Sequence, residues 1–135
     1  MGKKWLSVVM VILIFVASTP IAEAGLIQLF YTDTSSITAS LSIDSSGNAL
    51  CSGKVKPESS SSTTSIIVKL MKKSSGSWSE VKRWTASKSG ANGASASGSV
   101  KVSKGYSYQV VVNGTITQNG VVLESPTCSS NICSY

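Results

Sequence analysis

The 135-residue chain contains no histidine, and it has only 6 acidic residues against 12 basic ones. Without histidine, the Ser–His and Cys–His pairs that activate many catalytic nucleophiles cannot form, and a metal site loses a common nitrogen ligand. The acidic residues beyond position 24 are scattered, so no facing carboxyl pair of the glycosidase kind is indicated. A Ser–Lys dyad stays open in so serine-rich a chain, although no motif points to one. The sequence therefore predicts no catalytic residues, no metal site and no cofactor.

The N-terminus has the three parts of a secretory signal peptide. Lys3 and Lys4 precede an apolar run from Trp5 to Ala17, and Ala22-Glu23-Ala24 then supplies small residues where signal peptidase cleaves. The run is shorter than the ~20 residues that span a bilayer, so an uncleaved anchor is the less favoured alternative. We predict a signal peptide over residues 1–24, cleavage before Gly25, and a secreted chain whose mature part has no membrane span.

Cleavage would leave residues 25–135, the length of a single domain. That part has 10 basic and 5 acidic residues, a net charge of +5. This balance permits contact with anionic partners such as cell-wall polymers, lipid headgroups or acidic glycans. The lysines are predicted on both sides of the fold, as on a solvated surface, so nucleic acid is not indicated as a partner.

From position 37 onward, apolar and polar residues alternate over short stretches that are separated by clusters of serine, glycine and asparagine. Runs that repeat about every 8–12 residues are typical of a β-sandwich or barrel. The predicted strands cover about 37–43, 49–55, 66–71, 78–86, 94–102, 106–116 and a last stretch from 121. We predict an all-β domain, a seven-stranded antiparallel sandwich of the immunoglobulin type. The irregular apolar stretch 25–31 is an extra edge strand or a plug over one end.

Asn119-Gly120 is the strongest turn signal in the chain, because a type I′ turn needs positive φ at both central residues. This turn predicts that Gln118 pairs with Val121. It also predicts that Ile116 lies opposite Leu123, with both side chains on the buried face.

Three cysteines in an exported chain allow one disulfide and leave one thiol. Loop entropy alone favours the long Cys51–Cys128 closure. Counting from the Asn119-Gly120 turn, however, places Cys128 opposite Val111 on the outward face, whereas Cys51 has the parity of the core. We therefore prefer a Cys128–Cys133 disulfide in a terminal loop, with Cys51 as a buried thiol, and the Cys51–Cys128 pairing stays open.

The run Trp78–Ala86 departs from simple alternation, because Glu80 and Lys82 share the parity of Trp78 and Trp84. Two explanations are open. Either a β-bulge re-aims one tryptophan, or one face of this strand is mixed.

The segment Lys104–Val112, KGYSYQVVV, resembles strand F of fibronectin type III and immunoglobulin-like domains. In those domains a tyrosine hydrogen-bonds back to the preceding corner, and by position the match is Tyr108. With the strand GNALCSG and the hairpin KKSSGSW, the mature chain is similar to small secreted Ig-like β-sandwich proteins of Gram-positive bacteria. Val110 stands where true immunoglobulin domains have the cysteine that would pair with Cys51. The resemblance implies a fold and a secreted context, but no ligand.

Cationic and aromatic side chains cluster on the hairpin that follows the third predicted strand: Lys72, Lys73, Trp78, Lys82, Arg83 and Trp84. Such clusters can bind sugars, acidic polymers or membrane interfaces. The alternative is that Trp84 belongs to the core and that the basic side chains only cover the sheet edge. Solvent-facing tryptophans would favour binding, and buried ones a plain scaffold.

A second candidate surface is apolar and has outward parity: Ile67, Met71, Val111 and Val122. A contiguous stripe of these side chains would indicate a partner surface or self-association. The alternative is a set of isolated exposed apolar residues.

We predict a secreted, non-catalytic Ig-like module that binds a surface, a polymer or a protein partner. The alternative from a different class is a small cationic effector, bacteriocin-like or toxin-like, that acts on membranes.

Overall fold

The computed structural model describes residues 31–135, so the predicted signal peptide and residues 25–30 lie outside the described part of the chain. Within that part the chain forms strands and turns and no helix, which confirms the all-β class. The described residues form nine strands: β1 Thr34–Ile43, β2 Asn48–Pro57, β3 Thr63–Ser74, β4 Ser77–Ser89, β5 Ala94–Lys101, β6 Ser107–Gln118, β7 Val121–Glu124, β8 Thr127–Ser129 and β9 Cys133–Ser134.

Antiparallel pairing divides these strands into two sheets. The first has the order β1-β2-β5, and the second has the order β4-β3-β6-β7, with β8 and β9 also paired to β6. Because successive side chains in a strand point to opposite faces, each sheet turns one apolar row inward. The buried core comes from both sheets: Ile37, Leu41, Ala49, Cys51, Val55, Ile66, Val68, Leu70, Ala94, Val102, Tyr108, Val110, Val112, Ile116 and Cys128.

Two tight turns fix the pairing of the hairpins in the second sheet. Asn119 has φ of 53° and Gly120 of 77°, and the Ser75-Gly76 turn has the same signs, as two-residue hairpin loops of type I′ require. Gln118 pairs with Val121, as predicted.

The predicted pairing of Ile116 with Leu123 is wrong. A register shift between Ile116 and Thr117 pairs Thr117 with Val122 and Ile116 with Glu124. Leu123 is thus the extra residue of a β-bulge, and its side chain is 39 % exposed. Alternation could not detect the shift, because the run Val121–Leu123 is apolar at both parities.

The same shift moves Cys128 to the face opposite the predicted one. Cys128 pairs with Val112 instead of Val111, and its side chain is buried. Cys133 pairs with Tyr108, four positions from Val112 along β6, which is roughly 13 Å at the ~3.3 Å rise of a strand. A disulfide closes over at most about 7 Å between Cα atoms, so this register does not support the predicted Cys128–Cys133 bond.

Cys51 lies in the core, and its side chain is 2 % exposed. Burial raises the pKa of the Cys51 thiol to about 11, because the low-dielectric interior disfavours the thiolate. The Cys51–Cys128 alternative stays a prediction.

The last predicted strand is divided into three short strands. The described residues therefore form nine strands, whereas the sequence predicted seven. The buried Pro126 has no N–H for the ladder and separates β7 from β8, although its carbonyl accepts a 2.8 Å hydrogen bond from Gly114 N. Between β8 and β9, the Ser130 hydroxyl takes the place of a backbone acceptor and receives the N–H of Val110 at 2.9 Å.

A second β-bulge resolves the irregular run on β4. Leu70 pairs with Lys82 and Met71 with Glu80, so Val81 is the extra residue. Of the two explanations left open by the sequence, the bulge is the one that the structure adopts, because residues on its two sides now have opposite parity.

Candidate functional site

The bulge at Val81 places the two tryptophans of the predicted cluster on opposite faces of the second sheet. Trp84 pairs with Val68, whose side chain is in the core, and therefore points inward. Trp78 pairs with Lys73 on the outward face. The predicted cluster is thus two separate groups.

Trp84 forms the margin of the core. Its indole lies on Gly98 of β5, so closely that a Cβ added there would lie 2.1 Å from Trp84 Nε1. The ring is half-buried, and Lys82 Nζ lies 5.7 Å from its centroid on the open side. Trp84 and Lys82 therefore fit the alternative of a structural tryptophan with a covering lysine.

Trp78 is 37 % exposed, and Lys73 Nζ lies 5.9 Å from its ring centroid. Arg83 stands on the same outward face, but it makes a two-pronged ion pair with Glu80 at 2.9 and 2.7 Å. This hydrogen-bonded pair lowers the pKa of the Glu80 carboxyl and raises that of Arg83. Glu80 thereby neutralises the charge of Arg83. Trp78 and Lys73 are the members of this group that stay available to a ligand.

Two further lysine–aromatic pairs lie at the same end of the sandwich. Lys72 Nζ stands 4.4 Å from the Tyr106 ring centroid, and Lys104 Nζ stands 5.5 Å from that of Tyr135. Lys72 pairs with the buried Tyr108, and both tyrosine rings pack against the core, so these two pairs lie on the core-facing side of the second sheet, whereas Lys73 and Trp78 lie on its outward face. We call this end of the sandwich, with its residues on both faces, the hairpin-end surface: Lys72, Lys73, Trp78, Lys104, Tyr106 and Tyr135. Tyr106, Lys104 and Tyr135 were missed by the sequence analysis as site residues.

A row of paired residues crosses four strands on the outward face of the second sheet. Trp78 pairs with Lys73, Lys73 with Ser107, and Ser107 with Ser134. At about 4.8 Å between strands, the row is roughly 14 Å long. Beside it lies an open groove of about 390 Å³, whose lining includes Lys73, both serines and the tyrosines of the hairpin-end surface.

Hydrogen bonds hold the tyrosine side of the groove in place. Gly105 N donates to the carbonyl of Tyr135 at 2.6 Å, and Tyr135 N donates to the carbonyl of Tyr106 at 3.2 Å. The Tyr135 hydroxyl donates to the carbonyl of Ser45 at 3.1 Å. These bonds join the segment after β9 to the β5–β6 and β1–β2 connections, so contacts within the chain hold this side of the groove in shape.

Tyr108 fixes the same corner from inside the core. Its hydroxyl donates a 2.6 Å hydrogen bond to the carbonyl of Ser103, five residues upstream, and its ring is 1 % exposed. Burial is the main reason that the pKa of Tyr108 is raised. This is the bond that the resemblance to strand F implies for a tyrosine at this position.

Charge is distributed unevenly along the sandwich. The end with the β3–β4 turn carries Lys72, Lys73, Lys101 and Lys104, and its acidic side chains among the described residues are Asp44 and Glu80, of which Glu80 is paired with Arg83. Asp44 closes the β1–β2 turn by accepting the N–H groups of Ser46 at 2.9 Å and Asn48 at 3.0 Å. These bonds, above all those from Asn48, lower the pKa of Asp44.

The opposite end holds Asp33, Glu58 and Glu124, together with Lys54, Lys56 and Lys88. The Glu124 carboxylate accepts the N–H of Asp33 at 2.9 Å and the hydroxyl of Thr34 at 2.7 Å, which joins β7 to the start of β1. The charges of this end therefore balance, and an anionic partner would be attracted more strongly to the hairpin-end surface.

The predicted apolar stripe is not contiguous. Val111 lies directly opposite Lys69, which stands between Ile67 and Met71 along β3. Val122 pairs with Thr117, six positions from Val111 on β6, or roughly 20 Å away. The alternative of isolated apolar residues therefore fits the described sheet better.

In residues 31–135, no three Cys, Asp or Glu side chains come close enough together to hold a metal ion. The same residues include no helix with the length and hydrophobicity needed to cross a membrane.

Comparisons of the chain with protein-family models, with curated proteins and with solved structures give no match.

Proposed function

We propose that this protein is a secreted, non-catalytic Ig-like module that binds an anionic polymer through its hairpin-end surface. The observation that carries the proposal is the gathering of three lysine–aromatic pairs at one end of the sandwich: Lys72 with Tyr106, Lys73 with Trp78, and Lys104 with Tyr135.

Strand order supports the immunoglobulin-like part of the proposal. The first, second and fifth strands form one sheet, and the third, sixth and seventh belong to the other, as strands A, B, E and C, F, G do in immunoglobulin domains. The fourth strand extends the second sheet beside β3, the position of strand C′ in variable-type domains. The Tyr108 hydroxyl bond to Ser103 adds a corner of the same kind.

The N-terminal signal sequence supports secretion, because its lysines precede an apolar run that is too short to span a bilayer. Sequencing the N-terminus of protein recovered from the medium of an expressing Gram-positive culture should give Gly25 as its first residue.

Electrostatics supports an anionic partner. Among the described residues, the hairpin-end surface has three lysines and no acidic side chain. The nearby acid–base pair, Glu80 and Arg83, is internally matched. A lysine beside an aromatic ring offers a positive charge next to an apolar ring face. This combination suits a polymer that has both negative charges and apolar faces.

Charge reversal tests the proposal. The variant K72E/K73E/K104E should lower affinity for dextran sulfate by roughly 10- to 100-fold, because three favourable charges become unfavourable. Affinity is measured by isothermal calorimetry at fixed low salt, with circular dichroism to verify the fold.

The matched control is K54E/K56E/K88E, which changes the net charge by the same amount away from the hairpin-end surface. We expect it to retain most of the affinity, and an equal loss in both variants would show that net charge alone attracts the polymer.

Exposed Trp78 beside Lys73 is also the feature that a membrane effector would use. Dye release from vesicles with anionic headgroups separates the two functions. Release at micromolar protein, lost in K72E/K73E/K104E, would replace the polymer proposal by the effector.

A further inference from the structure

We propose that Asn119 is a site of spontaneous deamidation, and that the isoaspartate form of the product loosens the β6–β7 hairpin. The modification consumes water and needs no enzyme. It is independent of the proposed function, because the Asn119-Gly120 turn follows the end of β6 that lies away from the hairpin-end surface.

The reaction uses the backbone nitrogen of the residue that follows an asparagine. This nitrogen forms a bond to the side-chain Cγ, and the side-chain nitrogen leaves as ammonia together with the proton that the backbone nitrogen gives up. The five-membered imide then takes up one water and opens at either carbonyl, which gives aspartate or isoaspartate. Glycine favours the first step because no side chain shields its nitrogen.

The chain contains three Asn-Gly pairs, at positions 92, 113 and 119, and the structure protects the first two. Asn113 lies within β6 and is paired on both sides, with Ile67 of β3 and Thr127 of β8. The Gly114 nitrogen donates a 2.8 Å hydrogen bond to the carbonyl of Pro126. The nitrogen that would attack Asn113 is therefore held in the sheet.

Gly93 is protected by packing. It is buried, and a Cβ added to it would collide with the carbonyl oxygen of Val55. Its nitrogen donates a 3.3 Å hydrogen bond to the carbonyl of Gly90. The peptide between Asn92 and Gly93 therefore has little room to turn toward the Asn92 side chain.

The third pair has neither protection. Asn119 and Gly120 are exposed, and no atom lies within 4 Å of a Cβ built on Gly120. The hydrogen bond of a two-residue turn joins the residues that flank it, so the turn offers the Gly120 N–H no partner. Val121, Val122 and Leu123 are 60, 56 and 39 % exposed, and segments with so little burial open at a low free-energy cost. Brief opening of the turn lets the Gly120 nitrogen reach Cγ.

The two products affect the hairpin differently. Aspartate suits the first position of a type I′ turn as asparagine does, so it adds a charge and keeps the turn. Isoaspartate routes the main chain through the side-chain carbons and adds one methylene, which the fixed geometry of a two-residue turn does not accommodate. Glu124 of β7 accepts the Asp33 N–H at 2.9 Å and the Thr34 hydroxyl at 2.7 Å, so a loosened β7 also releases the start of β1.

Peptide mapping by mass spectrometry tests the site, with the mature chain kept at pH 8 either folded or in guanidinium chloride. The unfolded chain supplies the intrinsic rate of each Asn-Gly pair. Folding should slow deamidation of Asn113 by ~10-fold or more, because a central strand must open first, and that of Asn119 by about 3-fold at most. Equal protection of Asn119 and Asn113 would overturn the proposal.

N119D is the matched control for the added charge, because it carries the carboxylate without the extra methylene. Its thermal unfolding and the hydrogen exchange of its β7 amides should match those of the parent. In the isoaspartate form, identified by its reaction with an isoaspartyl methyltransferase, the β7 amides should exchange roughly 10-fold faster. An isoaspartate form that exchanges like N119D would refute the loosening of the hairpin.

Discussion

Gly98 is the residue that allows Trp84 to close the margin of the core. A Cβ at this position would lie 2.1 Å from Nε1 and 2.4 Å from Cε2 of the indole. Any side chain on Gly98 must therefore displace the ring from the first sheet and expose apolar surface on both sides.

We expect G98A to lower the free energy of unfolding by about 1–3 kcal/mol, the usual cost of overpacking a well-packed site. Urea denaturation measures the change, and a red shift of tryptophan emission reports the displaced ring.

A double-mutant cycle with W84L supplies the control. Since leucine leaves room beside the new methyl group, G98A should cost much less in the W84L background than in the parent. A cost that is the same in both backgrounds would mean that the clash with Trp84 is not the cause.

Among the elements, the strands with strict alternation were predictable from sequence. Ile66, Val68 and Leu70 of β3 are buried as their spacing predicts, and the apolar rows of β1, β2 and β6 behave in the same way. β4 and β7 were not predictable, because each carries a bulge that changes parity partway. A bulge depends on how two strands fit together, and nothing in the spacing of a single strand reveals it.

The β7 bulge gives a direct test of register. If Leu123 faced Ile116 in the core, L123A would cost about 2–5 kcal/mol, as truncation of a buried leucine does. With Leu123 as the extra residue, we expect a loss near the ~0.5 kcal/mol of surface changes.

I116A is the matched truncation, because Ile116 is fully buried on the neighbouring strand. It should lower the free energy of unfolding by about 2–5 kcal/mol in the same urea measurement. Similar losses for the two variants would restore the pairing that the sequence predicted and remove the bulge.

On the scale of the whole molecule, the candidate site was only half predictable. Lys72, Lys73 and Trp78 were found because they are close together in sequence and combine charge with an aromatic ring. Tyr135 joins them only because β9 pairs with the start of β6, which brings together residues 27 positions apart. Local patterning contains no trace of that long-range contact.

The whole chain also lacks any side chain that titrates near neutrality in its ordinary state. It has no histidine, and burial moves the pKa of Cys51 up to about 11. The net charge of the folded domain is therefore nearly constant between about pH 5 and pH 8, and so is the potential at the hairpin-end surface.

Acid changes this balance through the carboxylates that the fold stabilises. Hydrogen bonds from Asn48 lower the pKa of Asp44, and the bond from Arg83 lowers that of Glu80. A carboxyl whose pKa is lower in the folded state stabilises the fold above its unfolded pKa, and that contribution is lost as the pH falls through the folded value. Stability should thus be level from about pH 5 to pH 8 and should decrease below about pH 4.

The double variant D44N/E80Q should flatten this acid limb, because neither position can take up a proton. Urea denaturation at pH 7 and pH 2.5 measures the difference for both proteins. Repeating it in 1 M salt, where the Debye length is about 3 Å, separates these local bonds from the mutual repulsion of 10 cationic side chains in the described domain. In 1 M salt, an equal loss of stability in acid for the variant and the parent would show that the two carboxylates are not the cause of the loss. The charges of Asp44 and Glu80 would then contribute little to the stability of the β1–β2 turn and the β4 bulge.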